Sequence, residues 1–217
     1  MIVVGLTGSI GMGKTTAARA LVRMGLPVHD SDAVVHRLFA PGGEAVGPVG
    51  DAFPDAIRDG AVDRPALGRL VFHDPAALAR LEAIVHPLVR SESRAFLRRC
   101  AARHEPMAVL DVPLLFEIGR EGDCDFVILL TAPAFIQAQR VLRRPGMTEQ
   151  RLADIRSRQM RDAEKRRRAD FIVQTGLGRR ETLRVLSQIV KLAREGRWQS
   201  GRTGLCRARD GRPRYHA

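Results

Sequence analysis

The chain has 217 residues, a length typical of one large domain or of one domain with an inserted lobe. Its 45% hydrophobic and 28% charged residues argue against a disordered or fibrous chain and favour a globular protein with a proper core. The formal net charge of +12 fits binding either to nucleic acid or to small polyanions such as nucleotides. Six arginines between Gly196 and Ala217, against the single acidic residue Asp210, supply +5 of this excess.

The three cysteines indicate a reducing compartment, and we expect the cytoplasm. Cys100, Cys124 and Cys206 are far apart and match neither a disulfide framework nor the spacing of a zinc site. No secretory leader is recognisable, and no apolar run approaches the roughly 20 residues that span a bilayer. We therefore expect no membrane association.

Short apolar runs alternate with helical patterns, which predicts an α/β fold with a doubly wound, parallel, five-stranded sheet. The predicted strands are 2–7, 27–29, 107–110, 126–131 and 170–173. The predicted helices are 14–24, 32–38, 64–103 with interruptions near 73–75 and at 86–87, 134–142, 149–168 and 180–194. Residues 40–62 are expected to be loop with broken helical pieces, and residues 197–217 a disordered, basic tail.

The segment GSIGMGKT, residues 8–15, matches the P-loop pattern and lies in the required place between a strand and a helix. Its glycines let backbone N–H groups point at phosphate oxygens, and the helix N-terminus adds partial positive charge. Lys14 can reach the β- and γ-phosphates, and the Thr15 hydroxyl can bind Mg²⁺. A tight glycine turn without a ligand is the alternative. The pattern indicates a nucleoside triphosphate with Mg²⁺ and does not identify the acceptor.

Acidic side chains follow two of the predicted strands, at the sheet edge where ligands gather in parallel sheets. Asp30 and Asp32 come directly after the second strand, and one of these two carboxylates can orient an attacking hydroxyl and take its proton. The alternative is that Asp32 caps the next helix and Asp30 lies in a turn. Asp111 ends the third strand and can hold Mg²⁺ or remain a solvated strand end. Glu117 can bind a substrate amine or an arginine, or form a structural ion pair.

Arginines are dense after the fourth strand, at Arg140, Arg143 and Arg144 and on the helical segment that follows. Phosphoryl transfer without a partner's arginine needs positive charge from the same chain. The cluster therefore predicts a lid at about 140–168 that closes over the nucleotide, with a solvated helix face as the alternative. Further upstream, Pro87 should kink or restart its helix, and His86 either contacts substrate or packs.

These motifs together resemble the dephospho-coenzyme A kinase family. The resemblance rests on the segments GLTGSIGMGKTT, VHDSDAVVHRLF, VFHDPAALARLEAIVHPLV, VLDVPLLFE, QRVLRRPGMTEQRLADIRSRQM and KRRRADFIV, which cover most of residues 1–195. It implies one P-loop kinase domain over 1–196, with a helical substrate lobe at about 40–104 and a lid. It also implies transfer of the γ-phosphate of ATP, with Mg²⁺, to the 3′-hydroxyl of dephospho-coenzyme A.

The resemblance also implies roles for single residues. Asp32 would be the base for the ribose hydroxyl, and Lys14 and Arg140 would assist the transfer. His86, Leu114 and Glu117 would lie near the acceptor. The metal would be held at Thr15 and Asp111, and ATP would be bound by Gly11, Met12, Gly13, Lys14, Thr15, Thr16 and Arg144.

Two departures from the family pattern stand out. Met12 replaces a usual glycine or serine, which a backbone cradle tolerates. Gln174-Thr175 replaces a frequent Asp-Asn pair, which leaves the adenine-side contact open.

Two other functions compete with this reading. A related P-loop kinase could act on a nucleoside monophosphate or on shikimate. A nucleic-acid-stimulated ATPase would use the +12 charge, but only 5% of residues are aromatic and no nucleic-acid module is recognisable. We therefore expect no nucleic-acid partner, and the sequence does not indicate an oligomeric state.

Overall fold

A computed structural model describes residues 1–72 and 74–197 of the chain. The chain divides into two compact units. The first unit consists of Met1–His29 together with the chain from Arg99 onward, and the second unit consists of Asp30–Arg98. Apart from Arg197, the basic tail predicted at 197–217 lies outside the described residues.

The strands confirm the predicted five-stranded parallel sheet. In chain order they are β1 (Ile2–Thr7), β2 (Val28–Asp30), β3 (Ile57–Arg58), β4 (Ala61–Val62), β5 (Met107–Asp111), β6 (Phe126–Thr131) and β7 (Phe171–Gln174). The main sheet has the order β2-β5-β1-β6-β7, with β1 parallel to both β5 and β6, and β6 parallel to β7. The carboxyl ends of β1, β5 and β6 therefore lie at one edge of the sheet.

The helices in chain order are α1 (Lys14–Arg23), α2 (Ser31–Leu38), α3 (Val46–Ala52), α4 (Arg64–Val71), α5 (Pro75–Ala102), α6 (Ala134–Leu142), α7 (Glu149–Arg158), α8 (Asp162–Arg168) and α9 (Arg179–Arg194). Among the described residues, none of these helices has the length and apolarity that a membrane crossing requires.

Each unit has its own apolar core. In the first unit, every residue of β5 and β6 is buried, as expected for continuous apolar runs covered on both faces. Helices α1 and α9 contribute residues such as Leu21 and Leu186 to this core. In the second unit, the core gathers residues of α2 to α5, including Val34, Val49 and Val85.

The predicted interruption of the helix at Pro87 was wrong, because α5 continues through Pro87 from Pro75 to Ala102. A proline removes one backbone hydrogen bond from the helix ladder and crowds the preceding turn. Val85 and Val89 on either side are both buried in the core of the second unit, and this packing favours the continuous helix. The predicted break near residues 73–75 is confirmed, since α4 ends at Val71 and α5 begins at Pro75.

Two other boundaries differ from the sequence prediction. The helix expected over 149–168 is divided into α7 and α8, because Gln159 has an extended backbone (ψ 144°). The segment 40–62, expected to be loop with helical pieces, does contain α3 but also an antiparallel hairpin of β3 and β4. Asp59 and Gly60 form its turn with φ of 50° and 71°, and this Asp-Gly pair was the sequence signal for the hairpin.

Candidate active site

The P-loop, residues 8–15, connects β1 to α1, as the sequence predicted. Gly11 and Gly13 have φ of 76° and 86°, in the left-handed region that favours glycine. At Gly8 the reason for glycine is space, since a Cβ there would lie 2.8 Å from the backbone oxygen of Leu130 on β6. The loop therefore presses its backbone against the sheet edge, with α1 beginning directly after it.

Lys14 and Asp111 form an ion pair at this edge, with 2.8 Å between Nζ and Oδ1. Asp111 is the last residue of β5 and pairs in register with Leu6 of β1, so the sheet places its carboxylate beside the P-loop. Asp111 is only 2% exposed, whereas the side chain of Lys14 is 15% exposed. The Lys14 ammonium is thus held where a nucleotide phosphate would approach.

The donor groups at this edge fit Mg²⁺. Thr15, the second residue of α1, is exposed, and Asp111 supplies a carboxylate; both offer the oxygen ligands that Mg²⁺ prefers. In the part of the chain that the structure describes, no group of three or more His, Cys, Asp or Glu side chains is arranged for a metal. Kinase sites need no such group, because Mg²⁺ is held by one or two protein oxygens and the substrate phosphates.

Arg140 on α6 lies against the P-loop backbone and not on an exposed lid surface. Its Nη1 donates to Thr175 Oγ1 (2.9 Å) and Gly11 O (3.4 Å), and its Nη2 donates to Thr175 O (2.7 Å). Thr175 Oγ1 in turn donates to Met12 O at 2.9 Å. The side chain of Met12 is buried in the core, so this residue offers only its backbone to a ligand. Thr175, which departs from the family pattern, thus supports the P-loop through its hydrogen bonds to Arg140 and to the Met12 backbone.

A second network joins the predicted lid segment to Ile10 of the P-loop. Gln137 Nε2 donates to Ile10 O at 2.8 Å, and Arg156 donates to Gln137 Oε1 from both Nε and Nη2, at 2.9 and 2.7 Å. The Ile10 N–H donates to Gln159 Oε1 at 3.2 Å. The break between α7 and α8 thus places an amide side chain on a P-loop N–H group.

Glu117 forms the ion pair that was one of its sequence alternatives. Its Oε1 lies 2.7 Å from Lys165 Nζ and also accepts from the Met160 N–H at 3.0 Å. Lys165 is completely buried, and its Nζ also contacts Ser9 Oγ at 3.1 Å. Sequence reasoning missed Lys165 by counting it with the cations of the lid. The signal was that residue 165 is a lysine within a segment of arginines.

Two of the remaining predicted site residues, Asp32 and His86, belong to the second unit. Asp30, not Asp32, caps α2, since its Oδ1 accepts from the Ala33 N–H at 3.0 Å; the predicted capping by Asp32 was wrong. An N-cap carboxylate must precede the first turn, and Asp32 is already inside it, where it is exposed. Asp32 and the half-buried His86 belong to the second unit.

In the first unit, two residues predicted to contact substrates are exposed. Leu114 is 40% exposed, and Arg144 is exposed just beyond α6. Thr16 is half-buried in the first turn of α1. The structure therefore groups Gly11, Gly13, Lys14, Asp111 and Arg140 around the P-loop.

Comparison with known proteins identifies the family. The dephospho-CoA kinase family model matches residues 2–178. The dephospho-CoA kinase of Rhodospirillum rubrum is 54% identical over 205 residues, which are 93% of this chain and 97% of the relative. The crystal structure of TT1252 from Thermus thermophilus matches with a TM-score of 0.77 and 40% identity, covering 88% of this chain and 96% of that one.

A more distant structural neighbour shows how widely this fold is shared. Shikimate kinase from Acinetobacter baumannii, in complex with shikimate, matches with a TM-score of 0.51 and 19% identity, covering 92% of this chain and 96% of that one. At this identity the match shows a common P-loop kinase fold and does not bear on the acceptor. Because the family model spans most of the chain and its curated relatives carry the same name, the chain belongs to the dephospho-CoA kinase family, a family of ATP-dependent kinases.

Proposed function

We propose that this chain transfers the γ-phosphate of ATP to the 3′-hydroxyl of dephospho-CoA, giving CoA and ADP. The observation that carries the proposal is the P-loop with Lys14 held beside Asp111, in a chain that belongs to this family. Backbone N–H groups of the loop and the Lys14 ammonium stabilise the charge that develops on the transferred phosphoryl group. The proposed compartment is the cytoplasm, where cysteine thiols such as those of Cys100 and Cys124 stay reduced.

The nucleotide is proposed to bind to residues 11–16, with its phosphates along the N-terminus of α1. Thr15 and Asp111 would hold Mg²⁺, which neutralises phosphate charge when bound. Asp111 is already paired with Lys14, so phosphate binding would draw Lys14 toward the nucleotide and leave a carboxylate oxygen for the metal. Arg144, which is exposed, is proposed to contact ATP, while Arg140 supports the loop on which ATP sits.

Residues of the second unit, residues 30–98, are proposed to recognise the acceptor. Within that unit, Asp32 acts as the base for the ribose hydroxyl, and His86 contributes to the acceptor site. Capping of α2 is performed by Asp30, so the Asp32 carboxylate is not needed for that structural task. Glu117 Oε1 is used by Lys165 and Met160, so an acceptor group could bind Glu117 only at Oε2, which is buried in this conformation.

The first experiment measures ADP release from the purified chain with Mg·ATP, with and without dephospho-CoA, and with AMP and shikimate as control acceptors. We expect release that depends on dephospho-CoA and yields CoA. Release that depends on AMP or shikimate would keep the kinase assignment and refute the acceptor. Release stimulated by RNA and by no small acceptor would refute both.

Asp32→Asn tests the base. We expect ATP to bind as before while kcat falls by about 10²- to 10⁴-fold, the usual contribution of a general base. Asp30→Asn is the matched control, since asparagine caps helices as well as aspartate does and should leave kcat unchanged. A loss of less than about tenfold in Asp32→Asn would exclude this role.

A further inference from the structure

Lys165 carries a charge in a fully buried position. Of the three lysines in the sequence, Lys14 is 15% exposed at its side chain, Lys191 is 77% exposed, and Lys165 is 0% exposed. A buried ammonium is costly unless it is paired and hydrogen-bonded. Glu117 provides the pairing, with 2.7 Å between its Oε1 and Lys165 Nζ. Apolar side chains in place of such a buried pair are often as stable or more stable, so stability alone does not explain why the protein keeps a charge here.

The contacts of Lys165 lead directly to the P-loop. Its Nζ lies 3.1 Å from Oγ of Ser9, the second residue of the loop. The backbone oxygen of Ser9 accepts from the Met12 N–H at 3.1 Å, so Ser9 takes part in the turn that shapes the phosphate cradle. The ammonium therefore fixes one side of the loop through Ser9, while Arg140 fixes the loop through Gly11.

Helix α8, which carries Lys165, is itself anchored to the sheet edge. Thr131 Oγ1 at the end of β6 donates to Asp162 Oδ1 at 2.9 Å, and Arg166 Nη2 donates to the same Thr131 oxygen at 3.0 Å. Arg166 and Asp162 also form an ion pair at 2.5 Å. Because β6 neighbours β1 and the loop follows β1, this anchor sets the position of Lys165 relative to Ser9.

We propose that Lys165 is a positioning residue for phosphoryl transfer, a role that rests on the proposed function. Glu117 orients the ammonium, and the ammonium holds Ser9, so the N–H groups of the loop stay aimed at the transferred phosphate. The rival explanation is that the Lys165–Glu117 pair only stabilises the fold. The two differ in what happens when the pair is replaced by apolar side chains, because such a replacement commonly preserves stability.

The test compares Lys165→Met with the double variant Lys165→Met/Glu117→Leu, which leaves no unpaired carboxylate. We expect kcat to fall by about 10²-fold in both, the cost of a small misplacement of catalytic groups, while the KM values for ATP and for dephospho-CoA change little. A rise in the KM for dephospho-CoA in the double variant alone would instead show lost acceptor binding at Glu117. The melting temperature should fall in the single variant and recover in the double variant. Lys165→Arg should regain part of kcat, and Lys191→Met, which removes an exposed charge, is the matched control.

Each outcome separates the explanations. Recovery of both melting temperature and kcat in the double variant would show that the pair serves stability alone and would overturn the proposal. If Lys165→Met does not fold, the double variant decides by the same comparison. Adding Ser9→Ala to the double variant should cause no further loss of kcat, and a full additional loss would show that Lys165 does not act through Ser9. Wild-type turnover with dephospho-CoA tests the proposed function separately, since its absence would refute that function before any variant is compared.

Discussion

Replacing Gly11 by alanine tests how tightly the P-loop is packed against the sheet and α6. Two costs add at this position. The φ of 76° lies in the left-handed region, which costs a non-glycine residue about 1–2 kcal/mol. A Cβ would also lie 2.6 Å from Val141 Cγ2 and 3.2 Å from the Gln137 backbone oxygen, and such overpacking costs about 1–3 kcal/mol. We expect Gly11→Ala to lower the free energy of unfolding by about 2–5 kcal/mol.

Gly25 is the matched control, since its φ is 82° and a Cβ there would meet no atom within 4 Å. Gly25→Ala should lower the free energy of unfolding only by the cost of the left-handed backbone conformation, about 1–2 kcal/mol. Urea unfolding followed by far-UV circular dichroism measures both changes in the free energy of unfolding. All the residues involved belong to the first unit. With a slope of about 2 kcal/mol per molar urea, the midpoints should shift by about 1–2.5 M and 0.5–1 M.

Val141→Ala separates the two costs at Gly11. It removes the methyl group that a Cβ at position 11 would strike, and fully buried, β-branched Val141 has little freedom to rotate away. In the Val141→Ala background, Gly11→Ala should therefore lower the free energy of unfolding by less than it does in the wild type, and only the closer approach to Gln137 should keep its cost above that of Gly25→Ala. Equal penalties for Gly11→Ala and Gly25→Ala in the wild type would show that the loop is less tightly packed than the distances indicate.

Two further predictions concern other parts of the first unit. Arg140→Lys should raise the KM for ATP and lower the melting temperature, because an ammonium cannot replace the forked contact of the guanidinium with both oxygens of Thr175. An unchanged KM in steady-state kinetics and an unchanged melting temperature in thermal unfolding would contradict this prediction. Burial raises the pKa of the Cys100 thiol above 9.0, with Glu105 adding to the rise, so the folded protein keeps this proton to higher pH than the unfolded chain. The free energy of unfolding should therefore fall as pH rises past about 9. In a Cys124→Ser/Cys206→Ser background, in which Cys100 is the remaining thiol, Ellman's reagent should react only after unfolding, and rapid reaction of the native protein at pH 8 would oppose this.

The sheet and the P-loop were predictable because their signals are local. β1 and β6 are uninterrupted apolar runs, which parallel strands buried on both faces require. The P-loop needs glycine at particular backbone angles and lysine at the start of a helix, and these demands leave a fixed pattern in the sequence. The place of Asp111 at the end of β5, beside Lys14, followed from the same logic, while its role as a metal ligand stays a prediction.

The errors came from tertiary packing, which local patterns do not encode. Pro87 indicates a helix break, but buried neighbours on both sides keep α5 continuous. The segment 159–161 reads as helix, but an extended Gln159 accepts from the Ile10 N–H. Asp32 resembles a helix cap as closely as Asp30 does, but α2 begins at Ser31, so Asp30 is the cap and its Oδ1 accepts from the Ala33 N–H.

Three cations of segment 140–168 hold the P-loop in place in this structure. Arg140 and Lys165 contact the P-loop, and Arg156 supports it through Gln137, so these three cations hold the cradle in shape. Arg143 and Arg144, just beyond α6, are exposed, and Arg144 is the one proposed to contact ATP. Preorganised donors stabilise a transition state because they need not reorganise during the reaction. We therefore expect the cations that hold the shape of the loop to support catalysis without touching the phosphates.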